Sequence, residues 1–549
     1  MHLIAVGNTL AYGEFCCQFG GSHVKRRIFV GSLAAAALGT TALGSAGLYA
    51  QTAPAPQPQG AGPAPDPAAP PRPFGFDDVV AVAAALAQTD YEKPASTLTP
   101  PFKDLGYDSY RGIRFRREAD PWGEIRGWGL DLLAPGMLYS EPVKLNLVEN
   151  GAARPLPFDP GVFTYDPISF PADSALQPPG DMGWSGFRLR APLNRPDILD
   201  ELAVFQGASY YRVLGRGNVY GVSCRGLALG TGSAAGEEFP IFREYWIEKP
   251  NLDAGSVTIW ALLDSASITG AYQFTITPGE NTRVRTRVAL FPRRDLDDVG
   301  IAPLTSMYWF GPSDGNVPDD YRPAVHDSDG LQMLTGTDNR LWRALNNPPT
   351  LQLSAFMDED PQGFGLMQRD REFDNYQDTG AFYERRPSVW ISPHTNWGKG
   401  SVMLVEIPVE SEFHDNIVSF WKPGAPLVAG ARVDYGYDAH VGATPGDIGP
   451  WAFVRETLSG KSVNNADART FNIDFDDAIF PAGTLPEGSV TASAGRIVFP
   501  YVTHMPAQGL MRLSFEYFPQ GGELAELQAR LQAENGPLSE TWMYRWVGE

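Results

Sequence analysis

The chain reads as mostly β structure. Its 58 glycines and 48 prolines are spread throughout and cut it into many short apolar runs, the pattern of strands joined by turns. Clean two-residue alternation appears at Arg283-Val284-Arg285-Thr286-Arg287-Val288, and few stretches have helical period. With 549 residues the chain is too long for one ordinary core, so two domains are expected.

The first fifty residues form a leader. Lys25-Arg26-Arg27-Ile28-Phe29-Val30 precedes an Ala/Leu/Gly run from Gly31 to Leu48, and Leu48-Tyr49-Ala50 suits a cleavage end. This is the arrangement of a twin-arginine export signal. Residues 1–22 lie ahead of such a signal, so translation is expected to begin at Val24, whose codon can serve as a bacterial start, and the mature chain near Gln51. Residues 51–73 are Ala/Pro-rich and too poor in apolar bulk to pack, which makes them a linker.

From residue 51 onward 40 bases face 63 acids, a net of −23. Nucleic-acid binding is excluded on charge, because phosphates need a basic footprint. Cys16 and Cys17 lie in the leader, so Cys224 is alone in the mature chain and no internal disulfide is expected.

Phe76 to Ala87 reads as a helix: Asp77 and Asp78 suit its start, and Val79, Val82, Ala83 and Leu86 share a face. Gly106 onward turns to strands. The alternation at 283–288 puts three arginines on one sheet face, read as solvated. Ser256–Leu263, Tyr272–Ile276, Leu351–Phe356, Ser401–Ile407 and Ile417–Trp421 also read as strands.

Pro423, Gly424, Pro426 and Gly430 suggest a boundary between Lys422 and Gly430. The large domain would then span 74–425 and a smaller one 430–549. In the latter, Ala431–Tyr437, Phe471–Phe475, Ser489–Ala494, Arg496–Tyr501 and Met511–Phe518 are expected strands of a small sandwich. Leu524, Leu527 and Leu531 suggest a short helix before the end.

Several chemistries are set aside. Gly215 to Gly221 has one residue too many for a dinucleotide fingerprint, and Gly460-Lys461-Ser462 has Arg455 where a phosphate loop needs its first glycine. No paired-histidine zinc motif or nucleophile-elbow serine occurs. Asp327-Ser328-Asp329-Gly330 resembles half of a calcium loop without the remaining ligands, so an aspartate-capped turn is expected. No cofactor or metal is expected.

What remains is carboxylate chemistry between Tyr308 and Trp421, where aromatics, arginines and acids recur outside strand alternation. Paired carboxylates flanking a groove suit glycoside cleavage, since one protonates the leaving oxygen and the other activates water. Trp309, Trp342 and Trp397 are candidate faces for sugar rings.

Tyr321-Arg322-Pro323 with His326-Asp327-Ser328-Asp329-Gly330, and Gly363-Phe364-Gly365-Leu366 with Gln368-Arg369-Asp370-Arg371, resemble the periplasmic glucan biosynthesis proteins of the G and D types. So do Arg386-Pro387-Ser388-Val389-Trp390, Trp397-Gly398-Lys399-Gly400 and Asp415-Asn416-Ile417-Val418. The resemblance runs from about Phe74 to about Trp546, and the leader looks closer to the D type. It implies a large galactose-mutarotase-like β-sandwich followed by a small immunoglobulin-like one, and a periplasmic role in making osmoregulated β-1,2-linked glucans. Some members of the family are inverting endo-β-1,2-glucanases or transglycosylases, whereas others are assigned to glucan backbone assembly beside the inner-membrane synthase.

Both functions, enzyme and non-catalytic assembly factor, stay open at this point. Carried over residue by residue, the resemblance makes Asp415 the general acid, Asp327 the general base and Tyr383 a proton relay. It also expects Arg322, Arg386, Trp309 and Trp397 to contact sugar, and it implies a homodimer. One departure is visible: Leu458 to Thr470 is short and polar where hydrolytic D-type relatives carry a longer, aromatic-rich loop.

Overall fold

A computed structural model describes residues 73–548, apart from 124, 126, 168–169, 171–181, 252–253, 315–317, 446–448, 482, 520, 522–523 and 535. The twin-arginine signal region and the Ala/Pro-rich linker lie outside the described residues, as do Cys16 and Cys17.

The expected opening helix forms at Phe76–Leu86, with Asp78 accepting from the Gly75 backbone N–H at 2.8 Å across its first turn. Its inner face is Phe76, Val79, Val80 and Ala83, packed on Trp246, Trp260 and Leu262. Val82, expected on that face, is exposed. A partial rotation about the helix axis explains the difference: a stripe through Phe76 buries more aromatic area than one through Val82.

Everything beyond the helix is dominated by strands. One sheet runs through Gly129–Leu133, Gly186–Ala191, Asp200–Gln206, Tyr210–Val213, Ser223–Arg225, Val299–Ser306, Ile417–Pro423, Lys399–Glu406 and Gln352–Glu359, in that spatial order. A second sheet faces it, and its middle is the antiparallel set Ser388–Pro393, Val433–Gly442, Thr282–Pro292, Ile268–Thr277, Val257–Asp264 and Ile241–Glu248. Apolar residues from the two inner faces, among them Phe187, Phe205, Ile259, Phe274 and Trp421, make one continuous core. Arg283, Arg285 and Arg287 are exposed on the outer face, as their alternation requires, and Arg287 lies 4.5 Å over the Phe76 ring. Cys224 is buried in this core, where burial pushes its thiol up to about 12 and leaves it inert.

The second, smaller sandwich stacks Val454–Lys461, Arg469–Asp476, Leu510–Phe518 and Arg496–Met505 against Glu487–Ala492, Leu524–Ala533 and Thr541–Val547. Two expectations change here. The strand Val433–Gly442, beyond the expected boundary at 425–430, pairs with Thr282–Pro292 and Ser388–Pro393 and so belongs to the large sandwich. The Pro/Gly cluster before it is a surface turn rather than a linker: Gly424 N–H bonds to Lys399 O, and Leu427 bridges to Leu296.

The expected helix at Leu524–Leu531 is a strand. Ala525, Leu527, Ala529 and Leu531 alternate inward while Leu524 is 46% exposed, so the period is two, and the leucine spacing that suggested a helix is incidental.

The two sandwiches share hydrogen bonds. Thr541, Trp542 and Met543 pair in parallel with Leu341, Trp342 and Arg343, which makes the smaller sandwich's sheet an extension of the large one. The core of the smaller sandwich accordingly contains Trp342, Ala344, Met367 and Trp390 from the larger.

Candidate active site

The strand Val299–Ser306 leaves the first sheet through Met307 and continues as Tyr308–Phe310, which pairs with Val325–His326. Both candidate aspartates are tied to this one segment. The Asp327 backbone N–H donates to Met307 O at 2.8 Å, and that of Asn416, next to Asp415, donates to Ser306 O at 3.0 Å. The Asn416 side chain then closes the loop before it: its Oδ1 accepts from Tyr308 N–H, and its Nδ2 donates to Tyr308 O and Ile407 O. A buried amide with all these bonds made is a rigid brace.

His326, just before Asp327, stacks on Tyr308 with ring centroids 5.2 Å apart. Its Nδ1 lies 2.8 Å from Gln368 Oε1. Gln368 Nε2 donates to the carbonyls of His326 and Tyr383, which leaves Oε1 as the acceptor and puts the proton on His326 Nδ1.

Asp327 is buried, with Arg386 Nε 3.5 Å from its Oδ1. Burial pushes its carboxyl above the usual aspartate range; Arg386, Arg212 and His326 pull it down, and Glu412 pushes it up again. Arg212 is the charge that the two aspartates share. It acts on Asp327 and also brings NH2 to 3.8 Å from Asp415 Oδ2, while its Nε donates to Ser223 Oγ at 2.6 Å. Asp415 itself is half-buried.

Tyr383 is buried and donates its hydroxyl proton to Glu412 Oε2 at 2.7 Å. Burial pushes its phenol far up, so it stays protonated. Its placement is over-determined from below. Phe382 ahead of it adopts φ +50, a left-handed conformation that a phenylalanine takes only under constraint. Asp378 supplies that constraint, since its Oδ1 accepts from the Gly380 and Ala381 N–H groups and its Oδ2 accepts from Arg322.

The expected sugar contacts fall into different places. Arg322 spends its donors on Asp320, Asp378 and Glu412, which makes it a clamp on the loops. Arg386 donates to the carbonyls of Ala381 and Tyr220 and lies over the Tyr383 ring. Trp309 is half-buried and lines a cleft with Asn347, Val409, Glu410 and Trp546.

Trp397 is not at the site. It is 5% exposed and packs on Phe364, Trp421, Tyr435 and Tyr437 in the large core. Trp342 is likewise buried, under Arg369 at 3.6 Å. The expected aspartate cap on the Asp327–Gly330 turn does not form: Asp329 Oδ2 accepts from the Arg369 and Asp370 N–H groups of a distant segment, and Asp327 faces Arg386.

Arg212, Gln368, Asn416 and the contacts of Glu412 were not anticipated. Glu412 had a faint signal, three residues before Asp415. Arg212 had another, as a lone charge in the otherwise apolar run Tyr210 to Leu214.

Two aspartates tied to one strand exit, with a buried tyrosine and buried arginines beside them, define a double β-sandwich protein with a candidate carboxylate site. The chain belongs to the periplasmic glucan biosynthesis protein family: residues 74–546 match the family described as "Periplasmic glucan biosynthesis protein, MdoG". It is similar to Glucans biosynthesis protein G of Vibrio cholerae serotype O1, at 46% identity over 481 residues, 86% of this chain and 87% of the relative. Its similarity to the protein of that name in Shewanella frigidimarina is 45% over 477 residues, covering 86% and 85%, and in Shewanella baltica 43% over 478 residues, covering 86% and 87%. These relatives carry the G-type name, whereas the leader was expected to place the chain closer to the D type. No helix among the described residues is long and apolar enough to cross a membrane.

Proposed function

We propose that the protein works in the periplasm on the β-1,2-linked backbone of osmoregulated glucans, as an inverting endo-β-1,2-glucanase or transglycosylase. Asp415 is the general acid on the leaving oxygen, Asp327 the general base, and Tyr383 the hydroxyl through which the attacking group's proton is relayed. The supporting observation is the convergence of Asp327 and Asp415 on the Ser306–Tyr308 segment with Arg212 acting on both. A carboxylate pair serves as acid and base only when its two environments differ. Here they do: Asp327 is enclosed by His326, Arg386 and Tyr383, and Asp415 is half open.

Arg386 and Arg322 hold this arrangement, and Trp309 at the adjacent cleft is the retained candidate for contact with sugar. Purified protein incubated with linear β-1,2-glucan should shorten it or redistribute chain lengths. Asp327→Asn and Asp415→Asn should each lower turnover by at least about a hundredfold while glucan still binds. Near-normal turnover in either variant rejects that residue's role.

A second reading, a glucan-binding assembly factor beside the inner-membrane synthase, is favoured by one observation. Where hydrolytic D-type relatives carry a long aromatic loop, this chain makes a hairpin between Val454–Lys461 and Arg469–Asp476, with only residues 462–468 between its strands. Glucan that binds the wild-type protein and is returned unchanged in length would select that reading.

A further inference from the structure

The only proton of the Tyr383 hydroxyl is directed at Glu412 Oε2, 2.7 Å away. The same oxygen accepts from Arg322 NH1 at 2.6 Å, and Arg322 is itself held by Asp320 and Asp378. A tyrosine so held has only lone pairs to offer to anything else, so toward a sugar hydroxyl or a water it is an acceptor.

The charges around Asp327 carry a second consequence. Burial pushes the Asp327 carboxyl up, while Arg386, Arg212 and His326 favour its ionised form and so weaken it as a base. Glu412 is the negative charge that acts against them, and it also acts on Tyr383 beside Asp327.

We propose that Glu412 is a positioning residue for Asp327: it fixes the Tyr383 hydroxyl as a hydrogen-bond acceptor, and its charge offsets the arginines that face the base. This rests on the acid–base reading of the site given above. Glu412 exchanges no proton: in the relay the Tyr383 hydroxyl turns from Glu412 to hand its proton to Asp327 as it takes up that of the attacking group. Arg322 and the loop 407–416, closed by Asn416, keep its carboxylate in place.

The test separates charge from shape. Glu412→Gln keeps an acceptor oxygen near Tyr383 and removes the charge, whereas Glu412→Asp keeps the charge and shortens the reach. In Glu412→Gln the acid limb of kcat/KM for glucan turnover should move to lower pH by about one unit, since Asp327 loses a neighbour that raises its proton affinity. In Glu412→Asp the limb should stay in place while kcat falls by about tenfold.

A brace without electrostatic influence would lower kcat at every pH and leave the limb still. A limb that stays put in Glu412→Gln, or moves equally in both variants, overturns the proposal. A second readout does not depend on turnover: 13C titration of the Asp327 carboxyl, assigned by its loss in Asp327→Asn. Its midpoint should fall in Glu412→Gln, and an unmoved midpoint overturns the proposal even where turnover is lost. A fall in a protein that turns over no glucan upholds the influence of Glu412 on Asp327 while rejecting the hydrolytic reading.

Discussion

Arg322 is buried against three carboxylates, Asp320, Asp378 and Glu412, and its guanidinium holds the loops that present Tyr383. Hydrogen bonds from Arg322 hold Asp320 below the usual range. For Asp378, burial pushes up, but the Ala381 N–H, Arg322 and the Gly380 N–H outweigh it, and the net direction is down. Groups with depressed values stabilise the fold above the ordinary aspartate pKa of about 4 and lose that contribution as pH falls through their folded values. Arg322→Ala should therefore cost about 3 kcal/mol at pH 7, and the difference from wild type in urea unfolding should shrink as pH falls from about 5 toward 3. A difference independent of pH would contradict the clamp. At this scale the sequence was partly legible. Asp327, Asp415 and Tyr383 stand out through the blocks around them, but a clamping arginine and a sugar-binding one look alike until their partners are known. Trp397 was misread for the same reason, since an aromatic beside glycine suits a groove wall and a core equally.

The strand Leu524–Ala533 shows how local spacing misleads. Leu524, Leu527 and Leu531 fit one helical face, yet only Ala525, Leu527, Ala529 and Leu531 are buried, because cross-strand partners on both sides, Glu487–Ala492 and Thr541–Val547, fix the register. Leu527→Ala should lose about 2–5 kcal/mol and Leu524→Ala under about 0.5 kcal/mol in urea unfolding. Comparable losses at both would favour the helical face. By contrast Arg283–Val288 was fully legible, since three charges at period two admit no buried helix. The opening helix was legible in extent and at Val79 and Ala83, but not at Phe76 and Val80, whose burial the tryptophans of distant strands decide.

The two sandwiches are one hydrogen-bonded body, and that could not be read from the chain. A Pro/Gly cluster marks a surface turn or an interdomain linker with the same residues, and only the pairing of Val433–Gly442 between two strands of the large sheet decides. The junction carries its own pH dependence. Glu456 of the small sandwich is pushed up to about 7 by burial, with Asp370, Asp474 and Asp329 adding to it and Arg512 opposing. A raised carboxyl contributes stability that is present below its unfolded pKa of about 4.5 and lost as pH rises through its folded value. Glu456→Gln should thus raise Tm by about 2 °C at pH 8 and leave it nearly unchanged at pH 5; an equal gain at both pH values would show that Glu456 is not held up at the junction. Arg369 spans the same junction, bonded through both terminal guanidinium nitrogens to Glu540, so the loops of the site and the smaller sandwich are expected to unfold together.

The central claim, that Asp415 and Asp327 divide acid and base roles in an inverting reaction on β-1,2-glucan, is tested most directly by the anomeric form of the reducing end at the moment of release. Proton NMR of linear β-1,2-glucan mixed with the wild-type protein should show an α configuration first, as a free α reducing end where water attacks or as an α linkage where a sugar hydroxyl does, because direct attack opposite the leaving oxygen inverts the β linkage. A β product appearing first, or glucan with neither a new reducing end nor a new linkage, would contradict it.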